Sequence, residues 1–138
     1  TPMQWDDTQF AGFSSVQPWL PVHANAIKTN VLTQAMHPDS LLHLHRRLVH
    51  LRRSMPVLQH GTLEVINTGN GFVLGIKREL GSERAYIYIN FADQDQTIHL
   101  PEPMMIQAAT SSQPVARIDS QTIAVARYGG LLMKPTLC

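Results

Sequence analysis

Cysteine is almost missing from these 138 residues: Cys138, the last of them, is the only one. A disulfide framework or a cysteine zinc site within the chain is therefore excluded. Such usage fits a reducing compartment, and a cytoplasmic location is expected. Charge is also sparse, at 15% of residues with a net value of +1, which gives no electrostatic reason to expect nucleic acid or an anionic membrane as partner. No apolar run approaches the length of a membrane span, and no charged-then-apolar signal segment opens the chain. Internal repeats, low-complexity tracts and a glycine-rich phosphate loop between strand and helix are all lacking. The opening Thr-Pro-Met-Gln-Trp has no initiator methionine, so a piece of a longer protein is expected.

What the sequence does have is one strong helical signal. Leu41, Leu44, Leu48, Leu51 and Met55 recur at spacings of three and four, with Asp39 or Ser40 placed to cap the start and Pro56 to mark the end. Leu42 and Val49 widen the apolar arc to nearly half the circumference, more than a helix covering one sheet needs. His45 and Arg52 fall inside that arc, and a guanidinium there needs a partner. Before this helix, four prolines (Pro2, Pro18, Pro21, Pro38) and four large aromatics (Trp5, Phe10, Phe13, Trp19) interrupt any periodicity. An ordered loop, with a helical turn near Val31–Ala35, is the expected outcome.

After the helix, strand signals arrive at short intervals: Thr62–Ile66, Phe72–Glu79, Arg84–Phe91, Thr97–Leu100, Met104–Ala109, Thr122–Arg127 and Leu131–Lys134. Asn70-Gly71 predicts a tight primed turn, Leu80-Gly81-Ser82 a break, and Ser111–Pro114 with Asp119-Ser120 brackets a weaker segment. Alternation over Arg84–Phe91 sets Ala85, Ile87, Ile89 and Phe91 on one face and Tyr86, Tyr88 and Asn90 on the other. The pattern predicts a mostly-β fold, an antiparallel β-sandwich, preceded by an irregular segment and one long helix.

Several separated strings occur in an order that carries further information: Thr1-Pro2-Met3-Gln4-Trp5-Asp6, Ala11-Gly12-Phe13-Ser14, Pro18-Trp19-Leu20-Pro21-Val22, Asn30-Val31, Gln34 and the helix ending in Leu51-Arg52-Arg53. Together they resemble the α-glucosidases of the α-amylase superfamily, the group of oligo-1,6-glucosidases, maltases, trehalose-6-phosphate hydrolases and trehalose synthases. The resemblance is strong to about residue 60 and beyond that is one of architecture. It implies that residues 1–58 end a (β/α)₈ barrel, with helix 39–55 closing it, and that residues 59–138 form the all-β C-terminal domain.

The chemistry this resemblance implies is retaining hydrolysis of α-glucosidic bonds, which needs two carboxyl groups about 5–5.5 Å apart across the scissile bond. The family's nucleophilic aspartate, acid/base glutamate and third aspartate lie upstream of the Thr-Pro-Met-Gln-Trp string. No catalytic residue is therefore expected here, and the chain alone is expected to be inactive. The arginine that the family carries just before Thr1 is absent as well. Gln4, Trp5 and Asp6 are the substrate-binding candidates in an intact parent, at the mouth of its site. The implied partners are the missing barrel and its α-gluco-oligosaccharide substrate; self-association of the isolated piece is a further expectation.

Other candidates are weaker. His43, His45 and His50 do not converge on a helix closely enough for one ion, so neither metal nor cofactor is expected. Tyr86 and Tyr88 share a strand face and offer a sugar-stacking platform, the basis for an alternative reading as a stand-alone, non-catalytic carbohydrate-binding β-sandwich module.

Overall fold

The computed structural model describes residues 1–110 and 118–136. The predicted weak segment after Ser111–Pro114, and Cys138, lie outside the described residues. The chain separates into two compact units, Thr1–Val49 and His50–Cys138.

The first unit is built from short turns. Two 3₁₀ turns, Gln9–Gly12 and Ala24–Ile27, precede a six-residue helix α1 (Val31–Met36) and the start of the long helix α2 (Leu41–Ser54). Asn30 caps α1: its Oδ1 accepts from Thr33 N at 2.8 Å, while its Nδ2 donates to Ala26 O at 2.8 Å. Both halves of a buried amide are thereby satisfied. Two further α1 donors, Val31 N and Leu32 N, reach Gln4 O and Trp5 O at 3.0 and 2.9 Å. At α2, Ser40 rather than Asp39 provides the cap, its Oγ accepting from His43 N at 3.4 Å, and Gln34 Oε1 accepts from Leu42 N at 3.0 Å.

In the second unit Pro56 does stop α2, but it also starts another helix, α3 (Pro56–His60), with Met55 in extended backbone between them. Proline at a first helical position loses no bond that the helix would have made. Arg52 finds the partner its place on the arc demanded, donating through Nη1 to Leu58 O.

Among the described residues seven strands follow: β1 (Thr62–Ile66), β2 (Val73–Leu80), β3 (Glu83–Asn90), β4 (Gln96–His99), β5 (Met104–Ala109), β6 (Thr122–Val125) and β7 (Gly130–Pro135). Five of them form an antiparallel sheet in the order β1-β2-β3-β7-β5; β4 and β6 pair separately. The alternation read from β3 decides its packing. Tyr86 and Tyr88 join Ile98, Ile123, Val125, Leu131 and Met133 in a buried cluster between the five-stranded and two-stranded sheets. Ala85 and the half-buried Ile87 point the other way, onto Met55, Val57 and Leu58. The unit is sheet-rich and antiparallel, with few helices.

The turn at 67–72 departs from expectation. Among the described residues only Gly69 of this loop has positive φ, at 72°, whereas a primed Asn-Gly turn needs it at both Asn70 and Gly71. Asn70 is instead used as a side-chain tether. Its Oδ1 accepts from Phe72 N at 3.0 Å, and its Nδ2 donates to Gln96 Oε1 at 2.9 Å and Thr97 O at 3.2 Å. The β2–β3 connection is the tight hairpin: Leu80 pairs with Glu83 across Gly81-Ser82, with Gly81 at φ 58°.

Candidate functional site

Gln4, Trp5 and Asp6 lie in an irregular segment that bends at Asp6 and is held from both sides by backbone bonds. Ala11 O accepts from Trp5 N at 2.9 Å and from Asp6 N at 3.3 Å, and the carbonyls of Gln4 and Trp5 take the α1 amides. Three consecutive residues shape the wall against which the segment lies: Phe10, Ala11 and Gly12 have φ of 57°, 56° and 62°. For the two non-glycine residues this left-handed backbone costs about 1–2 kcal/mol each. It brings Ala11 O, on a buried residue, to where both amides converge.

The three side chains have different fates. The Gln4 amide and Asn25 Oδ1 are 2.7 Å apart, and Asn25 Oδ1 in turn lies 2.6 Å from His23 Nδ1, so Gln4 is committed to the loop. Asp6 Oδ1 accepts from Thr8 N at 2.9 Å and from Thr8 Oγ1 at 2.6 Å. Hydrogen bonding to the charged form holds its carboxyl below the ordinary range. Its other oxygen fills the space over Gly12, where a Cβ would lie 2.5 Å from Asp6 Oδ2. Trp5 alone keeps a free face, half exposed, and Trp19 is 92% exposed. Sequence reasoning did not single out His23, Asn25 or Thr8; Asp-x-Thr, the sequence of a side-chain-closed turn, was the available signal.

The other acidic side chains are engaged in the fold or exposed. Lys77 contacts Glu64 at 3.9 Å and Glu79 more closely. Arg84 Nη1 and Tyr86 Oη both donate to Glu102 Oε1, at 2.7 and 2.8 Å. Asp119 Oδ1 accepts from Gln121 N and Thr122 N, each at 2.7 Å, and Asp95 Oδ1 from Arg127 N at 2.9 Å. Glu79 and Asp119, like Asp6, are shifted downward, Glu79 by Lys77 and Asp119 by the amides it caps. Among the described residues no three His, Cys, Asp or Glu side chains are grouped to hold a metal ion, and no helix is long and apolar enough to cross a membrane.

The stacking platform is not formed. Tyr86 and Tyr88 are 4% and 1% exposed, with rings parallel within 8° at a centroid distance of 6.5 Å. Their faces are spent on the core, because the side of β3 that carries them is the side the two-stranded sheet covers.

Residues 1–61 match the model of the α-amylase catalytic domain. An oligo-1,6-glucosidase of Parageobacillus thermoglucosidasius is 33% identical over 102 residues, 74% of this chain and 18% of that protein. The chain belongs to the α-amylase superfamily. A probable α-glucosidase of Rhizobium meliloti is 38% identical over 101 residues, again 18% of its length. The crystal structure of an isomaltulose synthase from Protaminobacter rubrum superposes with a TM-score of 0.88 at 28% identity, over 99% of this chain and 25% of that one. The chain thus spans about a fifth of the α-amylase-superfamily relatives it matches in sequence, and these are glycoside hydrolases of the α-glucosidase type.

Proposed function

We propose that this chain is the C-terminal portion of an α-glucosidase-type glycoside hydrolase, that it lacks the catalytic carboxylates and that its role is structural. The observation that carries the reading is the match of residues 1–61 to a catalytic-domain model, in relatives of which the chain spans 18%. In this reading residues 1–58 are the end of the catalytic barrel, α2 is its closing helix, and residues 59–138 are an all-β sandwich. The missing barrel is the partner, and α-gluco-oligosaccharide is the substrate of the whole.

The state of the carboxylates supports inactivity of the chain by itself. A glycosidase acid needs a raised pKa and a second carboxyl across a sugar-sized gap. Here the shifted carboxylates go the wrong way, and each is held by a turn or an ion pair. Within the intact enzyme, Trp5 is the group free to meet a sugar ring, while Gln4 and Asp6 hold the segment that presents it. Incubating the chain with a chromogenic α-glucoside should give no turnover above background; hydrolysis that survives repurification would refute the assignment.

A further inference from the structure

We infer that Asn70-Gly71 is a modification site, at which the Asn70 side chain deamidates and the tether it makes between the 67–72 loop and β4 is cut. The glycine is not there for shape. Gly71 has no left-handed φ, and a Cβ placed on it would meet nothing within 4 Å. Neither turn geometry nor close packing therefore asks for glycine at this exposed position. What the missing side chain leaves is an unshielded backbone nitrogen directly after an asparagine.

The way Asn70 is held points to the same chemistry. Its Oδ1 accepts from Phe72 N at 3.0 Å. The ring closed by that bond contains both Asn70 Cγ and Gly71 N, so the side-chain carbonyl is folded back over the peptide that can attack it. Holding both groups in one small ring replaces a search through rotamers with a short approach. Asn67 and Asn90 close the same ring, onto Gly69 N at 2.9 Å and Ala92 N at 2.8 Å, but Thr68 and Phe91 follow them and shield the nitrogen.

The step balances without an oxidant or a reductant. Gly71 N gives its proton to solvent base and bonds to Cγ; the Cγ–Nδ2 bond breaks and ammonia leaves, giving a cyclic imide. One water then opens the imide. Cleavage at Cγ leaves aspartate, and cleavage at the Asn70 main-chain carbonyl leaves isoaspartate. The lost Nδ2 is the group that donates to Gln96 Oε1 at 2.9 Å and to Thr97 O at 3.2 Å. An oxygen in its place sets a carboxylate against those two acceptors, so hydrogen bonds are lost and a repulsion is gained. β4 carries both acceptors and is half of the two-stranded sheet. No group used by the glycoside-hydrolase proposal takes part, so the two stand or fall separately.

Incubating the folded chain in warm, mildly alkaline buffer, with peptide mass mapping and enzymatic methylation of isoaspartate, tests this. Isoaspartate is expected at position 70, well ahead of positions 67 and 90. Gly71→Ala should slow conversion about tenfold and leave the thermal midpoint unchanged, since its methyl group enters open space. Asn70→Asp should lower the midpoint and shift the Thr97 amide resonance. Survival of Asn70 in the folded chain, under conditions that convert it in urea, would overturn the inference. Equal rates in Gly71→Ala would overturn it too, as would a midpoint and a Thr97 resonance that Asn70→Asp leaves in place.

Discussion

Asn90 shows how much one polar side chain can hold together. It is 1% exposed, and its Nδ2 donates to Gln94 O, Val125 O and Ala126 O at 2.8, 3.0 and 3.1 Å while Oδ1 accepts from Ala92 N at 2.8 Å. Asn90→Ala strands buried backbone groups at the junction of β3 and β6 and should cost about 2–3 kcal/mol. Urea denaturation would measure it, and a loss under about 0.5 kcal/mol would show that the tether is dispensable. At Gly12 the constraint is steric. Gly12→Ala combines a left-handed φ with a Cβ driven against Asp6. The Asp6–Thr8 turn should open and Trp5 shift, giving a changed Trp5 indole resonance with the His50–Cys138 unit unaffected; an unchanged indole would contradict the packing described. The exposed carboxylates set the acid limb of stability. Asp6, Glu79 and Asp119 are depressed in the folded state, so their contribution is complete above the ordinary values of 3.8 and 4.5 and fades as pH falls through the lower folded values. Lys77 is raised, so its contribution holds below 10.5 and fades as pH climbs through the folded value. Thermal midpoints should therefore drop below about pH 4, and Asp119→Asn should flatten that limb.

Elements were the most legible level. Period two separated Tyr86 and Tyr88 from Ala85 and Ile87 as the structure does, because strand geometry sorts them whatever they pack against, while Phe91 lies past the end of β3 and is exposed. What alternation could not say was how deep that face would lie, and so a sugar platform stood as an alternative to the core packing that formed. The Asn70-Gly71 turn was misread for a related reason: local turn chemistry yielded to the bonds Asn70 makes to Gln96 and Thr97, which are remote in sequence. Helix α3 went unseen because Pro56 signals both a stop and a start. At the candidate site the string Gln4-Trp5-Asp6 was legible only through resemblance; its residues' commitments depend on Asn25 and Thr8, whose contacts no periodicity encodes. The two-stranded sheet is the element most dependent on packing, since two strands alone are marginal in water. Ile123 is fully buried there, whereas Leu63 on β1 is 62% exposed. Ile123→Ala should cost about 2–5 kcal/mol, and Leu63→Ser within about 0.5 kcal/mol. Calorimetry giving comparable losses for both would contradict the assignment of the core to the space between the sheets.

At the scale of the whole molecule, the buried clusters among the described residues belong to the second unit, and the first presents Met3, Trp5, Phe13, Val16, Trp19 and Leu20 substantially to solvent. Exposure of that extent favours association. Sedimentation velocity should show a concentration-dependent rise in mass for residues 1–138 that is absent from 50–138; a clean monomer across the series would remove the expectation. The strand order carries a consequence for time as well as for shape. The partners β2 and β3 are joined by two residues, whereas β7 reaches β3 by pairing Gly130 with Ile89. Closing the short loop is entropically cheap, and closing the long one is slow and must await it. On refolding, amides of the Leu80–Glu83 hairpin should become protected from exchange early, and those of Leu131–Met133 late. The last strand to arrive would then be a central one, so the half-made protein carries an open seam in its middle and is most vulnerable to proteolysis there.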